Sequence, residues 1–154
     1  MGFMANQLWN GKTIRTLNVL DDFNREDLAI EVDFSLPSAQ VVHALDQIIQ
    51  WRGKPAMIRD NGPEYLSETQ ISWAFKHQIT PSYIQPGKPQ QNAYVERYNR
   101  AVRNEWLGTH IFHTVEEVQN HATQWLWTYN NDRSNMGIGG ITPAMKLNQH
   151  QMAA

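Results

Sequence analysis

The chain has 154 residues, of which 41% are hydrophobic and 18% are charged, so it is long enough and apolar enough for one folded domain and is not a disordered chain. Its formal net charge is −2, from 13 basic and 15 acidic residues, whereas the domains that bind nucleic acids are usually basic. The absence of cysteine excludes disulfides and thiolate metal sites, and no apolar run is long enough to predict a membrane span.

Three strands are predicted at the start of the chain, joined as an antiparallel meander. They cover Met1 to Trp9, Thr13 to Phe23 and Leu28 to Phe34. A helix follows, with Ser38 as its predicted cap and Gly53 at its end. Its buried face is marked by apolar residues at helical spacing: Val41, Val42, Leu45, Ile48 and Ile49.

Strands and helices alternate in the next part of the chain. Lys54 to Asp60 and Ser82 to Gln85 are predicted strands, and between them Ser67 begins a helix. That helix carries four residues expected to turn mostly inward: Ile71, Trp73, Ala74 and Phe75. The order of these elements predicts an α/β fold.

Helices are predicted for the last part of the chain. After a break around Gly108, Thr114 and Glu117 have the spacing of a capping box and open a long helix. Its apolar face is predicted to contain Val115, Val118, Ala122, Trp125 and Tyr129. The end of the chain is rich in glycine and asparagine, and Thr142-Pro143 predicts one last short turn.

The stretch from Pro86 to Arg103, PGKPQQNAYVERYNRAVR, changes from turn residues to a helical pattern at Gln91. An apolar stripe recurs every four residues, at Tyr94, Tyr98, Val102 and Trp106. A different face holds Asn92, Glu96, Asn99, Arg100 and Arg103. One acid among amides and arginines suits a helix that holds a metal ion or a phosphate, but taken alone it indicates an ordinary solvated face first.

A second acid, Asp60, lies in the motif IRDNGPEY, where a short apolar strand is predicted to lead into a tight turn. Between Asp60 and Glu96 there are 35 residues. An acid at a strand end followed at this distance by an acid on a helix resembles the catalytic core of the DDE transposases and retroviral-type integrases. More closely, it resembles the insertion-sequence transposases of the two-frame bacterial type. Four motifs, which occur in the same order as in that family, support the resemblance: TLNVLDDFNRE, IRDNGPEY, IQPGKPQQNAYVERYNR and YNNDRSNMGIGGITP.

The resemblance implies an RNase H-like α/β fold, with a mixed five-stranded sheet flanked by helices. Residues 1–131 would be the catalytic core and residues 132–154 its C-terminal tail. The implied activity is DNA cleavage and strand transfer at transposon ends, dependent on Mg²⁺ or Mn²⁺, in the bacterial cytoplasm and in association with the nucleoid. DNA is the implied partner, together with further copies of the chain. Because no helix-turn-helix is recognisable, we expect the chain to be truncated at its N-terminus.

In the resembled family three acids hold the metal ions, and this chain matches two of them. Asp60 and Glu96 are the predicted catalytic and metal-ligating residues, with their carboxylates expected roughly 4 to 8 Å apart. The first acid of the family lies in a motif like M-D-F. The matching residues here are Met1-Gly2-Phe3, so Gly2 replaces that acid. There are two smaller departures. Arg59 directly precedes Asp60, whereas the family usually has one residue between its arginine and its aspartate, and Ser134 stands where the family usually has proline.

Basic residues are concentrated near Glu96 in spite of the negative net charge. The resemblance and this clustering predict five DNA-contacting residues: Lys88, Asn92, Arg97, Arg100 and Arg103. The lysine and the arginines are expected to contact phosphates, because turns and helix faces near a metal site bind the DNA backbone. Asn92, one turn before Glu96, is expected to help to shape the site.

Several other interpretations compete with this one. Gly2 and the short strand before Asp60 favour a non-catalytic remnant that binds only DNA or transposase subunits, and a host-acting nuclease of the same fold is a third possibility. Asp21 and Asp22 are expected to be turn residues, not a substitute for the missing acid. His110 and His113 are expected at the surface. The tryptophans Trp73, Trp106 and Trp125 are expected to pack in the core and not to stack on bases.

Overall fold

The computed structural model describes residues 1–60, 67–83 and 93–153, with the side chains of Asp60, Tyr83 and Ala153 excepted. Its strands are β1 (Gly2–Gln7), β2 (Thr13–Leu20), β3 (Asp27–Asp33), β4 (Met57–Asp60) and β5 (Thr80–Tyr83). Its α-helices are α1 (Ser38–Arg52), α2 (Glu68–Lys76), α3 (Ala93–Ala101), α4 (Val115–Asn131) and α5 (Pro143–Ala153). The predicted order of strands and helices is confirmed for these residues.

The first three strands form the predicted antiparallel meander, in the order β1-β2-β3. Residues directly opposite one another point to the same face of a sheet, and here both faces are covered. One face packs against α3 and α4, in a core that contains Met4, Ile14, Ile30, Val32, Tyr98, Val102 and Val118. The other face packs against α1 and α2, in a second core that contains Leu17, Val19, Val41, Leu45, Ala74 and Ile79.

The expected single five-stranded sheet is divided into two in the structure. β4 and β5 pair in parallel as a separate two-stranded sheet. The two sheets meet where the backbone nitrogen of Met1 donates to the carbonyl of Arg59, at 2.6 Å. β1 pairs along its whole length with β2 and approaches β4 only at its first residues, so it does not extend a continuous ladder across to β4.

The helix starts differ in part from the predictions. The predicted cap Ser38 is wrong: Pro37 is the N-cap of α1, and the Ser38 hydroxyl donates to Ser67 Oγ at 2.8 Å. Ser67 itself forms a full capping box with Gln70 at the start of α2. In α4, Thr114 Oγ1 accepts from the backbone nitrogen of Glu117, which confirms one half of the predicted box.

Two further predictions about the helices are wrong. Phe75 does not turn inward but is 81% exposed, because it lies two residues after the buried Trp73, and two residues turn an α-helix by roughly 200°. The predicted short turn at Thr142-Pro143 is the start of α5, a helix of 11 residues. Among the described residues, no helix is both long and apolar enough to cross a membrane.

Helix α5 has few apolar residues, and contacts with the turn between β2 and β3 hold it in place. The buried side chain of Asn24, in the turn between β2 and β3, donates to the carbonyl of Pro143 at 3.1 Å. In the same turn the ring of Phe23 contacts His150, with 4.9 Å between ring centroids, and Lys146 Nζ lies 4.5 Å from the Phe23 centroid. The turn therefore fixes both ends of α5.

Candidate functional site

Helix α3 presents a buried stripe and a charged face, as its sequence predicts. Tyr98 and Val95 are buried against the meander, and the stripe continues through Val102 and Trp106. The candidate site residue Glu96 is exposed to solvent on the opposite face. The helix is continued by a π-helical segment (Val102–Trp106) and a 3₁₀ turn (Leu107–Thr109).

The continuous helical run ends at Thr109, one residue after Gly108 and close to the predicted break. A Cβ atom added to Gly108 would lie 2.3 Å from the carbonyl oxygen of Arg103, a distance that backbone cannot tolerate. Glycine is therefore required where the helical segment turns toward α4.

Gly2 lies directly beside the helix that carries Glu96. It is buried, and a Cβ atom added to it would come 3.7 Å from Cγ1 of Val95, which is ordinary van der Waals contact. Gly2 pairs with Asn18 across β1 and β2, so both residues face α3. A side chain at position 2 would therefore fit, and it would point toward the helix segment that includes Glu96.

The backbone of Asp60 reaches the same end of the sheet. Asp60 is the last residue of β4 and pairs with Tyr83 of β5. Its neighbour Arg59 accepts the hydrogen bond from Met1, next to Gly2. The three positions predicted to match the acids of the resembled family, Gly2, Asp60 and Glu96, thus lie near one another. Val95, next to Glu96, lies beside Gly2, and Met1, next to Gly2, is hydrogen-bonded to Arg59, next to Asp60. The Asp60 side chain, and with it the expected carboxylate separation from Glu96, lies outside the described residues.

The candidate DNA-contacting residues are only partly described. Arg97, Arg100 and Arg103 are all exposed along α3 and the segment that follows it. Arg97 also lies close to Gly137, in the segment before α5. A Cβ atom added to Gly137 would lie 3.7 Å from one of the guanidinium nitrogens of Arg97. Lys88 and Asn92 lie outside the described residues.

An ion-pair network occupies the turn between β2 and β3. Arg52 of α1 bridges Asp21 at 3.0 Å and Glu26 at 2.5 Å, and Arg25 pairs with Asp22 at 2.9 Å. Both Asp21 and Asp22 are therefore turn residues, as expected.

The sequence analysis missed Arg25, which reaches from this turn to α3. Its guanidinium carbon lies 4.0 Å from the centroid of Tyr94. Burial and the nearby carboxylate of Asp22 raise the pKa of Tyr94 to about 12. No spacing or motif signals such a contact, because the two residues are far apart in sequence.

Asp27 is a second residue that the sequence analysis missed, since an aspartate at the start of a strand normally faces solvent. It is fully buried between β3, α3 and α4. Tyr98 donates a hydrogen bond to its carboxylate, and Asn130 brackets its backbone with bonds of 2.7 and 2.8 Å. Burial raises the pKa of Asp27 well above its usual range, although the hydrogen bond from Tyr98 opposes the shift.

The remaining aromatic and histidine expectations are largely confirmed. His110 and His113 are exposed. Trp73 and Trp106 are buried, and Trp125 packs beside Trp106 with 6.2 Å between ring centroids.

The described residues do not complete a metal site. Across residues 1–60, 67–83 and 93–153, no three acidic, histidine or cysteine side chains lie together in a way that could hold a metal ion. Two divalent ions need several oxygen ligands. If Gly2 occupies the position of the family's first acid, as the resemblance predicts, that position carries no carboxylate.

The order of elements, with a meander between helices and the Glu96-bearing helix beside the first strand, resembles an RNase H-like α/β domain. The chain belongs to the integrase core domain family, whose profiles match residues 3–89 and 77–143. The first match alone spans more than half of the chain.

Relatives from bacterial insertion elements agree with this assignment. The chain is 40% identical over 145 residues to a 39.2 kDa protein of insertion element IS476 from Xanthomonas euvesicatoria, covering 94% of this chain and 42% of the relative. It is 35% identical over 153 residues to a 31.7 kDa protein of IS407 from Burkholderia multivorans, covering 99% and 55%. The putative transposase InsK of IS150 from Escherichia coli is 24% identical over 150 residues, covering 93% and 52%. The chain therefore spans about half the length of these relatives.

The fold is also that of a viral integrase core. The catalytic core domain of HTLV-2 integrase, solved in complex with magnesium, superimposes with a TM-score of 0.68 at 20% identity. The match covers 94% of this chain and 92% of the viral domain. At this identity the likeness shows the fold alone.

Proposed function

We propose that this chain is the catalytic-core portion of an insertion-sequence transposase that binds DNA but has impaired strand-transfer chemistry. The insertion-element relatives and the putative transposase InsK support the first part. The observation that carries the second part is Gly2, which leaves the position beside the Glu96-bearing helix without a carboxylate.

Asp60 and Glu96 would be the metal ligands of this site, with Asn92 helping to shape it. A divalent cation, when bound, supplies charge neutralisation at the attacking and leaving oxygens of a phosphodiester. The magnesium in the HTLV-2 structure supports the choice of ion. Two carboxylates leave the mutual repulsion of two cations poorly compensated, so we expect this chain to hold one ion weakly.

DNA would bind along the exposed face of α3. Arg97, Arg100 and Arg103 lie on it, and Lys88 precedes it in sequence. We expect these guanidinium groups to contact phosphates, and because phosphate contacts carry no sequence information, the affinity should depend little on sequence. We also expect copies of the chain to associate, which is supported by the trimeric form named for the HTLV-2 core.

The alternative is a remnant that binds DNA or transposase subunits and catalyses nothing. Gly2 favours it as well, because loss of one carboxylate from a cluster of three can abolish activity instead of reducing it.

A joining assay in Mn²⁺ tests the proposal. The probe is a labelled duplex that carries the ends of the related element IS407, and the target is plasmid DNA. We expect the chain to bind the duplex with little or no joining. The variant Glu96→Gln is the matched control, since it removes the charge of one proposed ligand and keeps its size. Robust joining that Glu96→Gln abolishes would contradict impairment, and failure to bind the duplex would contradict the DNA-binding role.

A further inference from the structure

Two histidines from different elements meet beside the helical run that follows Glu96. His110 comes directly after the 3₁₀ turn that ends this run, and His121 lies in α4. Their ring centroids are 5.0 Å apart, with an angle of 60° between the ring planes. The partner of His110 is therefore not His113, its neighbour in sequence, but a residue of the next helix.

The hydrogen bonds of His110 fix which of its ring nitrogens carries a proton. Nδ1 lies 3.2 Å from the carbonyl oxygen of Trp106 and 2.8 Å from Oγ1 of Thr109. Thr109 donates its own hydroxyl proton to the same carbonyl, at 2.8 Å. Both neighbours of Nδ1 therefore accept, so Nδ1 donates, and a neutral His110 keeps its lone pair on Nε2. A backbone carbonyl that orients a histidine in this way is typical of metal ligands.

The buried ring of Phe112 holds both imidazoles in place. Its centroid lies 5.6 Å from that of His110, on which it stacks, and 5.1 Å from that of His121, which it meets edge to face. His110 is exposed and His121 is half-buried. Solvent, and an ion dissolved in it, can therefore reach the pair, although Phe112 restrains the rotation of both rings.

The separation of the two rings suits a shared metal ion. Zinc–nitrogen distances are about 2.0 to 2.1 Å, so two imidazoles on one tetrahedral zinc ion lie roughly 5 Å apart between ring centroids. Imidazole nitrogen suits Zn²⁺, Cu²⁺ and Ni²⁺, whereas Mg²⁺ prefers oxygen, and Cu²⁺ binds most tightly of these ions. Among the described residues, no third acidic, histidine or cysteine side chain joins the pair in a way that could hold an ion. Water would therefore complete the coordination.

We propose that His110 and His121 form a binding site for a transition-metal ion, Zn²⁺ or Cu²⁺, through Nε2 of His110 and one ring nitrogen of His121. The bound ion would link the end of the helical run that begins with α3 to α4. Its protein ligands are neutral nitrogens, so the site differs in chemistry from the oxygen site proposed at Asp60 and Glu96. It is also independent of whether the chain binds or cleaves DNA.

The test is to add Zn²⁺ to the whole chain and to measure urea unfolding at each concentration of the ion. Because the two histidines come together only in the folded chain, we expect the unfolding midpoint to rise with the Zn²⁺ concentration. Cu²⁺ should bind more tightly than Zn²⁺, and its electron paramagnetic resonance spectrum should show two coordinated nitrogens. Thr109→Val removes one acceptor from Nδ1 of His110 and should weaken Zn²⁺ binding about tenfold.

His110→Gln and His121→Gln each remove one ligand and should abolish the rise, and their unfolding curves without metal show that both variants fold. His150→Gln is the matched control, because it removes an exposed histidine of α5 and should keep the rise. A parent chain without the rise, or a rise that survives either ligand variant, would overturn the proposal. So would a rise that an excess of Mg²⁺ removes, which would assign the ion to carboxylates. A rise that depends on protein concentration would show that the ion bridges two copies, and would equally overturn a site within one chain.

Discussion

Arg25 stacks on Tyr94, and this contact connects the turn between β2 and β3 to the helix that carries Glu96. Arg25 has a φ of 62°, a left-handed conformation that is uncommon for a residue other than glycine. Its guanidinium also pairs with Asp22, so the side chain is held from two directions. Tyr94 lies two residues before Glu96, and the stack therefore restrains the first turn of α3.

The stack should contribute measurably to stability. In a double-mutant cycle of Arg25→Ala and Tyr94→Leu, we expect a coupling free energy of about 0.5 to 2 kcal/mol in urea unfolding. Tyr94→Phe is the control, because it keeps the ring and loses only the hydroxyl, so most of the coupling to Arg25 should remain. A coupling indistinguishable from zero would mean that the stack does not stabilise α3.

Buried Asp27 should make the chain less stable as pH rises. Burial raises the pKa of Asp27 in the folded state, so the folded chain holds this proton more tightly than the unfolded chain does. The resulting stabilisation is complete below the unfolded pKa of about 3.9 and is lost as pH rises through the folded pKa. Asp27→Asn keeps an acceptor for Tyr98 and removes the charge. At neutral pH the variant should be more stable than the parent by about 1 to 3 kcal/mol.

The pH dependence distinguishes this effect from a general gain in stability. The difference between Asp27→Asn and the parent should shrink as pH falls toward about 4. Asp132→Asn, at an exposed position just after α4, should change the free energy of unfolding little at any pH. If Asp27→Asn proves destabilising at neutral pH, the ionised carboxylate contributes more to the fold than its burial costs.

Salt dependence should reveal whether the exposed face of α3 contacts DNA. Each lost phosphate contact lowers the magnitude of the slope of log K against log salt by about 0.9. The double variant Arg97→Ala/Arg100→Ala should therefore flatten the slope by about 2. Lys12→Ala/Lys54→Ala removes the same charge from exposed positions outside α3 and should change the slope less. Equal slopes for the parent and the arginine variant would show that α3 does not face DNA.

Restoring one carboxylate should not restore strand transfer. Gly2→Ala should change the free energy of unfolding by less than about 1 kcal/mol, because a side chain at position 2 meets only ordinary contact with Val95. Gly2→Asp should therefore fold, but position 2 lies at the beginning of β1, where strands fray unless further residues hold them. Asp60 would also remain directly after Arg59, whereas the resembled family usually has one residue between its arginine and its aspartate.

We expect joining activity only when three changes are combined: Gly2→Asp, extension of β1 before Met1, and insertion of one residue between Arg59 and Asp60. The measurement is the joining assay in Mn²⁺, with each pair of changes as a control for the full set. Activity with Gly2→Asp alone would show that the start of β1 and the short strand β4 already position their acids.

Periodic patterns predicted much of the fold. Tyr98, Val102 and Trp106 of the predicted stripe are buried as their four-residue spacing indicates, and Tyr94 is partly buried, since helical geometry fixes which residues share a face. Phe75 was misassigned because a short helix with several apolar residues does not reveal by composition which of them face solvent. α5 was missed because glycine and asparagine dominate the sequence around it, and its position depends on contacts with Phe23 and Asn24.

The candidate site could be located from the sequence only in part. The resemblance predicts site positions at Gly2, Asp60 and Glu96 because they occur within recognisable motifs, and these positions stay predictions. It does not reveal Arg25 or Asp27, whose roles arise from residues brought together by folding. Local patterns carry no information about partners that are distant in sequence, so contacts of this kind become visible only in three dimensions.

The bond from Asn24 to Pro143 bridges 119 positions of the chain. During synthesis the meander emerges before α5, and at about 5 to 20 residues per second the ribosome needs several seconds or more to go from Asn24 to Pro143. Until then the Asn24 side chain lacks the carbonyl that receives it, and the turn that bears Arg25 lacks the support of α5. The strands of the meander are therefore synthesised before α5, and the turn that bears Arg25 acquires its contact with Pro143 only after α5 has been translated.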